Sequence, residues 1–150
     1  MKKLPFSKKP YRSVKVKPKK VKKSTLRNKA DKLFSIYIRS FGLCEAMGIT
    51  NVRCGGSLQC AHITTRGVTA LRFDPMNALC LCAGHHRFWT HHPLEWVEFL
   101  WKYCPDRLKY VMKHKNDKVK KTEDLYRETI ERYSVDPRDP NGESIDSHID

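Results

Sequence analysis

Apolar residues recur at three- and four-residue spacing from about Thr25 to Phe41, and this period predicts an amphipathic helix. Thr25 is a suitable N-cap, and Gly42 is suited to ending the helix. The apolar positions of this segment are Leu26, Ala30, Leu33, Phe34, Tyr37, Ile38 and Phe41. Because they fall on one helical face, we expect this helix to pack against the rest of the domain.

Three further helices are predicted in the second half of the chain. One follows Pro93, the next begins at Pro105, and the last runs from about Thr122 to Tyr133. Proline fits the first turn of a helix, because backbone N–H groups there have no intrahelical acceptor and the N–H that proline lacks is not needed. Each segment has an apolar face at helical spacing, so we expect all three to flank a common core.

The segment between these helices has no long periodic pattern. Short apolar runs with glycines and cysteines from Leu43 to Ile63 favour a hairpin closed on a metal ion. We expect a loop over residues 64–76 and a helix from Asn77 to about Trp89. The pattern as a whole predicts a small α+β domain over residues 26–133.

Charge is distributed very unevenly along the chain. The net charge is +14, and residues 1–29 hold thirteen of the thirty Lys and Arg residues and no acid. We expect residues 1–25 to be a disordered basic arm and residues 134–150 a disordered acidic tail. The sequence shows neither a secretory signal nor an apolar run long enough to span a membrane, which favours the cytoplasm and reduced thiols.

Six cysteines and seven histidines in 150 residues therefore favour metal sites over disulfides. Cys44 and Cys54 form one candidate ligand pair, and Cys82 with His85 forms a second pair with the spacing of a zinc knuckle. Two such pairs complete a tetrahedral structural zinc site that would join distant segments. Cys60 or Cys80 could substitute for one of these ligands or belong to a second site.

His62, Asn77 and the run Cys82-Ala83-Gly84-His85-His86 carry a more specific signal. Their order resembles the HNH, or ββα-metal, nuclease family, whose pattern is a strand ending in His, a loop, an Asn opening a helix, and a C-x-x-C-H element. The phrase LQCAHITTRG…LRFDPMNALCLC is most similar to phage recombination nucleases, namely the NinG family and a RecA-dependent recombination-enhancing nuclease. The resemblance covers about residues 43–100.

The resemblance implies a zinc-stabilised ββα core and a metal-dependent DNA endonuclease acting in phage recombination or repair. His62 is the expected general base, because imidazole titrates near neutral pH. Asn77 and His86 are expected to support a divalent ion, Mg²⁺ or Mn²⁺, with Asn77 either ligating it or orienting His62. Asn77 could equally cap the predicted helix.

One position departs from the family pattern. Many HNH enzymes have Asp or His as a metal ligand immediately before the base, and this chain has Ala61. A replacement ligand could come from Asp74, His91 or His92, although the two histidines before Pro93 also suit a turn. Ala61 is also the best reason for the alternative interpretation, a zinc-stabilised DNA-binding module with weak or no catalysis.

DNA is the expected partner, and the resemblance adds a RecA-type recombinase filament. Arg66 and Arg72 flank the loop between His62 and Asn77 and are candidates for phosphate contact. Lysines outnumber arginines in the arm, which favours non-specific phosphate binding over base reading, although a solubilising tail has the same composition. The candidate DNA-binding lysines are Lys15, Lys17, Lys19, Lys20, Lys22 and Lys23.

Overall fold

A computed structural model describes residues 21–135, and these residues form a small α+β fold. The described residues contain five helices and one two-stranded antiparallel sheet. The helices are α1 (Lys23–Arg39), α2 (Ala83–His91), α3 (Pro93–Tyr103), α4 (Pro105–His114) and α5 (Glu123–Tyr133). The strands are β1 (Leu58–His62) and β2 (Ala78–Cys82).

The sheet lies between two helical layers, each with its own apolar core. α1 and α5 pack on one face, where Leu33, Phe34 and Ile38 are buried. α2 and α3 cover the other face through Trp89 and Phe99. All five residues of β2 are buried, because helices cover both faces of this strand. The sheet thus holds α1 and α2 on opposite sides of β1.

The predicted helix over Thr25 to Phe41 is confirmed in kind but begins and ends earlier. α1 begins at Lys23 after Lys22, which makes no side-chain capping bond, so Thr25 is not the N-cap. Lysine and serine are tolerated in a helix, and packing of Leu26 holds the first turn in place. Residues 23–25 therefore belong to the helix rather than to the arm. Gly42 has a φ of 78° and turns the chain soon after the helix ends.

The predicted hairpin over Leu43 to Ile63 is wrong, because only its last part is a strand. Residues 44–57 form turns, with Gly48 at φ 74° and Gly56 at φ 77°. β1 pairs with β2 instead, from Leu58 opposite Cys82 to His62 opposite Ala78. The partner strand lies on the far side of the loop over residues 64–76, which contains two short 3₁₀ turns.

The predicted helix from Asn77 to Trp89 is also wrong over its first half. Asn77 ends a 3₁₀ turn, and Ala78–Cys82 is a strand rather than a helix. A short apolar run fits a buried strand or a buried helix equally well by pattern, and pairing with β1 decides between them. α2 begins only after Cys82, whose sulfur accepts a hydrogen bond from the backbone N–H of His85. Asn77 therefore does not cap a helix.

The three C-terminal helices are confirmed close to their expected positions. α3 and α4 begin at Pro93 and Pro105. Thr122 caps α5 by accepting a hydrogen bond from the N–H of Leu125. The proposed arm lies outside the described residues over 1–20, and the proposed tail lies outside them over 136–150.

Candidate metal centre and adjoining cleft

Cys44, Cys54, Cys82 and His85 come together in one cluster, as their spacing predicted. Their ligand atoms all lie within 4.8 Å of one another. The Nδ1 atom of His85 lies 3.5 Å from Cys44 Sγ, 3.6 Å from Cys54 Sγ and 3.1 Å from Cys82 Sγ. Bond lengths of about 2.3 Å to sulfur and about 2.0 Å to nitrogen at a tetrahedral angle give S···N separations of about 3.5 Å. The Cys₃His cluster therefore fits a zinc ion.

His85 has the orientation that a zinc ligand needs. Its Nε2 lies 2.8 Å from Thr50 Oγ1, which also accepts a hydrogen bond from the N–H of Val52. Donation from Nε2–H to this hydroxyl leaves the Nδ1 lone pair directed toward the three sulfurs. His85 is fully buried, so Thr50 supplies the acceptor that solvent would otherwise provide.

Backbone geometry around Cys82 favours its thiolate. Desolvation opposes ionisation, but hydrogen bonds from the N–H groups of His85 and Gly55 stabilise the anion and lower the pKa of Cys82 to about 6. Burial and the neighbouring thiols raise the pKa of Cys54 to about 11. The Cys82 thiolate is therefore stabilised before a cation arrives, whereas Cys54 stays protonated, and charge neutralisation by a bound divalent ion would favour ionisation of Cys54.

Glycine permits the close approach of the loop to α2. A Cβ on Gly56 would lie 2.8 Å from the Cβ of Ala83, and a Cβ on Gly84 would lie 3.2 Å from the carbonyl oxygen of Arg53. The loop that holds Cys54 can therefore lie directly against the first turn of α2. This contact brings the two ligand pairs together.

Cys60 and Cys80 do not join the cluster, so they do not substitute for its ligands. They face each other across the sheet, on strands β1 and β2. Both are protonated at neutral pH, because burial raises the pKa of Cys60 to about 12 and that of Cys80 to about 11. Among the described residues, the Cys₃His cluster is the one group of three or more candidate ligands.

His62 and His86 line a common cleft of about 310 Å³ beside β1. α1 forms one wall, α2 contributes His86, and the segment after β1 forms the floor. The lining residues are Asp31, Phe34, Ser35, Cys60, His62, Thr64, Thr65, Arg66 and His86. Sequence separation gave no direct indication that α1 would contribute to this site.

His62 is oriented by a backbone carbonyl. Its Nε2 lies 3.1 Å from the oxygen of Arg72, and a carbonyl can only accept, so Nε2 carries the proton. Nδ1 is then unprotonated and lies 4.0 Å from Cys60 Sγ. Burial is the main cause that lowers the pKa of His62 below 6.5; the Arg72 carbonyl and Asp31 oppose this effect, and Arg66 adds to it. The imidazole is neutral at pH 7 and can accept a proton.

His86 has a comparable arrangement on the opposite wall. Its Nδ1 lies 2.6 Å from Gln59 Oε1, so Nδ1–H donates and Nε2 keeps a free lone pair. Burial lowers the pKa of His86, which favours the neutral form that a metal ligand requires. Gln59 was not identified from the sequence, although its place on β1 puts it on the side that faces α2.

Asn77 is fully buried and tied to the loop rather than directed into the cleft. Its Oδ1 accepts a hydrogen bond of 2.8 Å from the N–H of Thr64, and its Nδ2 donates to the carbonyl of Leu71 at 2.9 Å. These bonds join the two ends of the segment between His62 and Arg72. The amide of Asn77 is thus engaged by Thr64 and Leu71, and Asn77 does not line the cleft.

The three candidate replacements for a ligand at Ala61 lie elsewhere. Asp74 accepts hydrogen bonds from the N–H of Met76 and the hydroxyl of Tyr110. His92 stacks on Phe88, and His91 is exposed at the end of α2. Within the described part of the chain, none of the three lines the cleft. Ala61 itself is buried and forms part of a smaller adjoining cavity.

The candidate phosphate contacts differ in their surroundings. Arg66 is exposed and lines the cleft, which suits contact with a phosphate. Arg72 is instead half-buried in a bidentate ion pair with Asp31. Lys22 and Lys23 are exposed at the start of α1. The candidates Lys15, Lys17, Lys19 and Lys20 lie outside the described residues.

Asp31 is the residue of the cleft that the sequence interpretation missed most clearly. It is the only acidic residue among residues 1–44, and an isolated carboxylate in so basic a segment is a signal that could have been used.

Comparison of the chain with protein-family models, with curated proteins and with solved structures finds no match. Among residues 21–135, no helix is both long and apolar enough to cross a membrane.

Proposed function

We propose that this chain is a metal-dependent HNH-type endonuclease that hydrolyses phosphodiester bonds in DNA during phage recombination or repair. The observation that carries the proposal is the cleft in which two neutral imidazoles, His62 and His86, lie beside a candidate zinc cluster. The order β1, β2, α2 agrees with the ββα arrangement expected from the resemblance. Hydrolysis by such a site needs a base, a cation and a means of holding the phosphate.

His62 is the proposed general base. With Nε2–H donated to the Arg72 carbonyl, the Nδ1 lone pair is the atom that removes a proton from the attacking water. Phe34 packs 5.7 Å from the imidazole, centroid to centroid, and Asn77 fixes the following loop. The exposed guanidinium of Arg66 is placed to attract the phosphodiester to the same cleft.

A divalent ion would complete the site, and the residues fit it in part. His86 has a free Nε2 and an outer partner in Gln59, as a metal ligand requires. His86 would hold Mg²⁺ or Mn²⁺, and such an ion would supply stabilisation of the negative charge on the transition state and on the leaving oxygen. Asn77 would support this ion indirectly, through the loop.

Plasmid nicking with Mg²⁺ or Mn²⁺ tests the proposal. We expect the full chain to nick supercoiled DNA and His62→Ala to lose at least about 100-fold in rate, since general base catalysis contributes about 10²–10⁴-fold. His114→Ala is the matched control, because His114 lies on α4 and pairs with Asp117 outside the cleft. Equal metal-dependent nicking by His62→Ala and the wild type would contradict the assignment of the base.

A zinc-stabilised DNA-binding module without catalysis is the second candidate, and Ala61 is the observation that favours it. Its methyl group offers no ligand, and the residue is only 2% exposed. DNA binding by the full chain with no nicking on duplex, single-stranded or RecA-coated DNA would favour this candidate. If the wild type nicks weakly, we expect Ala61→Asp to lower the Mn²⁺ concentration needed for half-maximal rate.

A further inference from the structure

Asp31, Arg72 and His62 form a continuous chain of contacts from α1 to the cleft. The carboxylate of Asp31 accepts two hydrogen bonds from Arg72, at 2.9 Å from Nε and 2.6 Å from the second terminal nitrogen. The backbone carbonyl of the same Arg72 lies 3.1 Å from His62 Nε2. One residue therefore binds α1 through its side chain and His62 through its main chain.

Arg72 has no freedom to serve as an ordinary phosphate contact in this state. Its remaining terminal nitrogen donates to the carbonyl of Arg66 at 2.7 Å. The side chains of Arg72 and Asp31 are only 14% and 19% exposed. A bidentate pair with this degree of burial fixes the guanidinium in a plane and thereby restricts the backbone that carries it.

The position of the Arg72 carbonyl matters because it determines which nitrogen of His62 is protonated. A shift of this carbonyl would release Nε2–H, and the proton could then reside on Nδ1, the nitrogen that must accept a proton from water. Asn77 secures Leu71, the residue before Arg72, but no contact of Asn77 reaches Arg72 itself. The backbone N–H of Arg72 makes a long hydrogen bond of 3.4 Å to the Thr69 carbonyl, and the ion pair with Asp31 adds a shorter, bidentate restraint through the side chain.

We propose that Asp31 is a positioning residue for His62, which acts through the side chain of Arg72 to hold the Arg72 carbonyl against His62 Nε2. The catalytic part of this inference rests on the proposed nuclease function. The structural part, control of the His62 tautomer, does not depend on that function. Asp31 reaches the base from a helix that precedes the ββα elements in the chain.

Asp31→Asn tests the inference, with Asp117→Asn as the matched control. Asn keeps the shape of the side chain but loses the charge and one of the two acceptors for Arg72. Asp117 also contacts a histidine, His114, but lies in an exposed pair that does not line the cleft. Both variants of the full, zinc-loaded chain are compared with the wild type by ¹⁵N NMR of the imidazole nitrogens and by nicking kinetics.

We expect the His62 ring of the wild type and of Asp117→Asn to remain in the Nε2–H form, and that of Asp31→Asn to become a mixture of tautomers. We expect kcat to fall by about 10–100-fold in Asp31→Asn with KM changed less than about threefold, because misplacement of a reacting group by about 1 Å can cost about 100-fold in rate. A tautomer change without nicking by any variant would support the positioning role and contradict the nuclease function.

Two outcomes would overturn the inference. One is an unchanged His62 tautomer in Asp31→Asn. The other is tighter DNA binding with unchanged kcat, which would mean that Asp31 only withholds Arg72 from phosphate. If Asp31→Asn does not fold, the His62 tautomer and kcat are measured on Arg72→Lys instead. Lysine keeps the positive charge but lacks the planar two-donor group that Asp31 binds.

Discussion

Thr50 offers the sharpest test of the metal centre, because it contacts the cluster through one atom pair. Thr50→Val keeps the shape of the side chain and removes the hydroxyl that lies 2.8 Å from His85 Nε2. His85 is fully buried, so no solvent replaces the lost acceptor. The variant therefore leaves all four candidate zinc ligands in place and removes the acceptor that orients one of them. It also removes the acceptor of the Val52 N–H, an effect that does not depend on zinc.

The size of the effect follows from this contact. Loss of an outer partner of a metal-bound histidine costs about 10–100-fold in affinity. At about 1.4 kcal/mol for each factor of ten, this corresponds to about 1.4–2.8 kcal/mol. A zinc ion bound by the Cys₃His cluster would join the loop over residues 44–57 to α2, so the same loss should appear in the free energy of unfolding of the zinc-loaded protein.

Chelator competition measures the zinc dissociation constant, and urea unfolding with and without zinc measures stability. Thr129→Val is the matched control, since Thr129 is also buried but donates its hydroxyl within α5. We expect the control to retain the zinc affinity of the wild type and to lose the same stability with and without zinc. Wild-type zinc affinity in Thr50→Val would refute the ligand arrangement through Nδ1 of His85.

Three further predictions concern the cluster, the base and the arm. Cys82→Ser should lose zinc and unfold at 25 °C, whereas Cys60→Ser should retain one equivalent of zinc by metal analysis, because Cys60 lies outside the cluster. Because burial lowers the pKa of His62, the base is neutral and active above that pKa, and the nicking rate should fall only as pH drops below about 6.5. A pH–rate profile with its midpoint above pH 7 would contradict the burial argument. Deletion of residues 1–20 removes nine cations and spares α1, so zinc content and helical circular dichroism should persist while DNA binding weakens. The slope of log affinity against log salt concentration should fall by up to about 8 in magnitude. An unchanged slope would exclude the arm from DNA binding.

Features that depend on local spacing could be predicted from the amino-acid sequence. The helical period around Leu33, the prolines that begin α3 and α4, and the zinc-knuckle spacing of Cys82 and His85 are all short-range signals. Such signals are readable because a helix or a knuckle is formed by residues within a few positions of one another. The helices and the Cys82–His85 half of the candidate zinc site follow from them, whereas Cys44 and Cys54 were predicted as a second pair by their residue type.

The pairing of segments that are distant in sequence became visible only in the folded chain. The run Ala78–Cys82 is apolar at every position, and pairing with β1 rather than its own pattern makes it a strand. The same pairing brings His86 beside His62 and frees Asn77 from any helix. Strand pairing is a contact between residues far apart in sequence, so a single sequence contains little information on which strands pair.

The contribution of α1 to the cleft was decided in the same way. Asp31 meets Arg72 across 41 positions of sequence, and nothing in the local pattern of either residue specifies the other. A charged pair of this kind forms because both side chains are half-buried by packing of α1 on the sheet. Local chemistry thus identifies the groups that can act, and packing determines which of them act together.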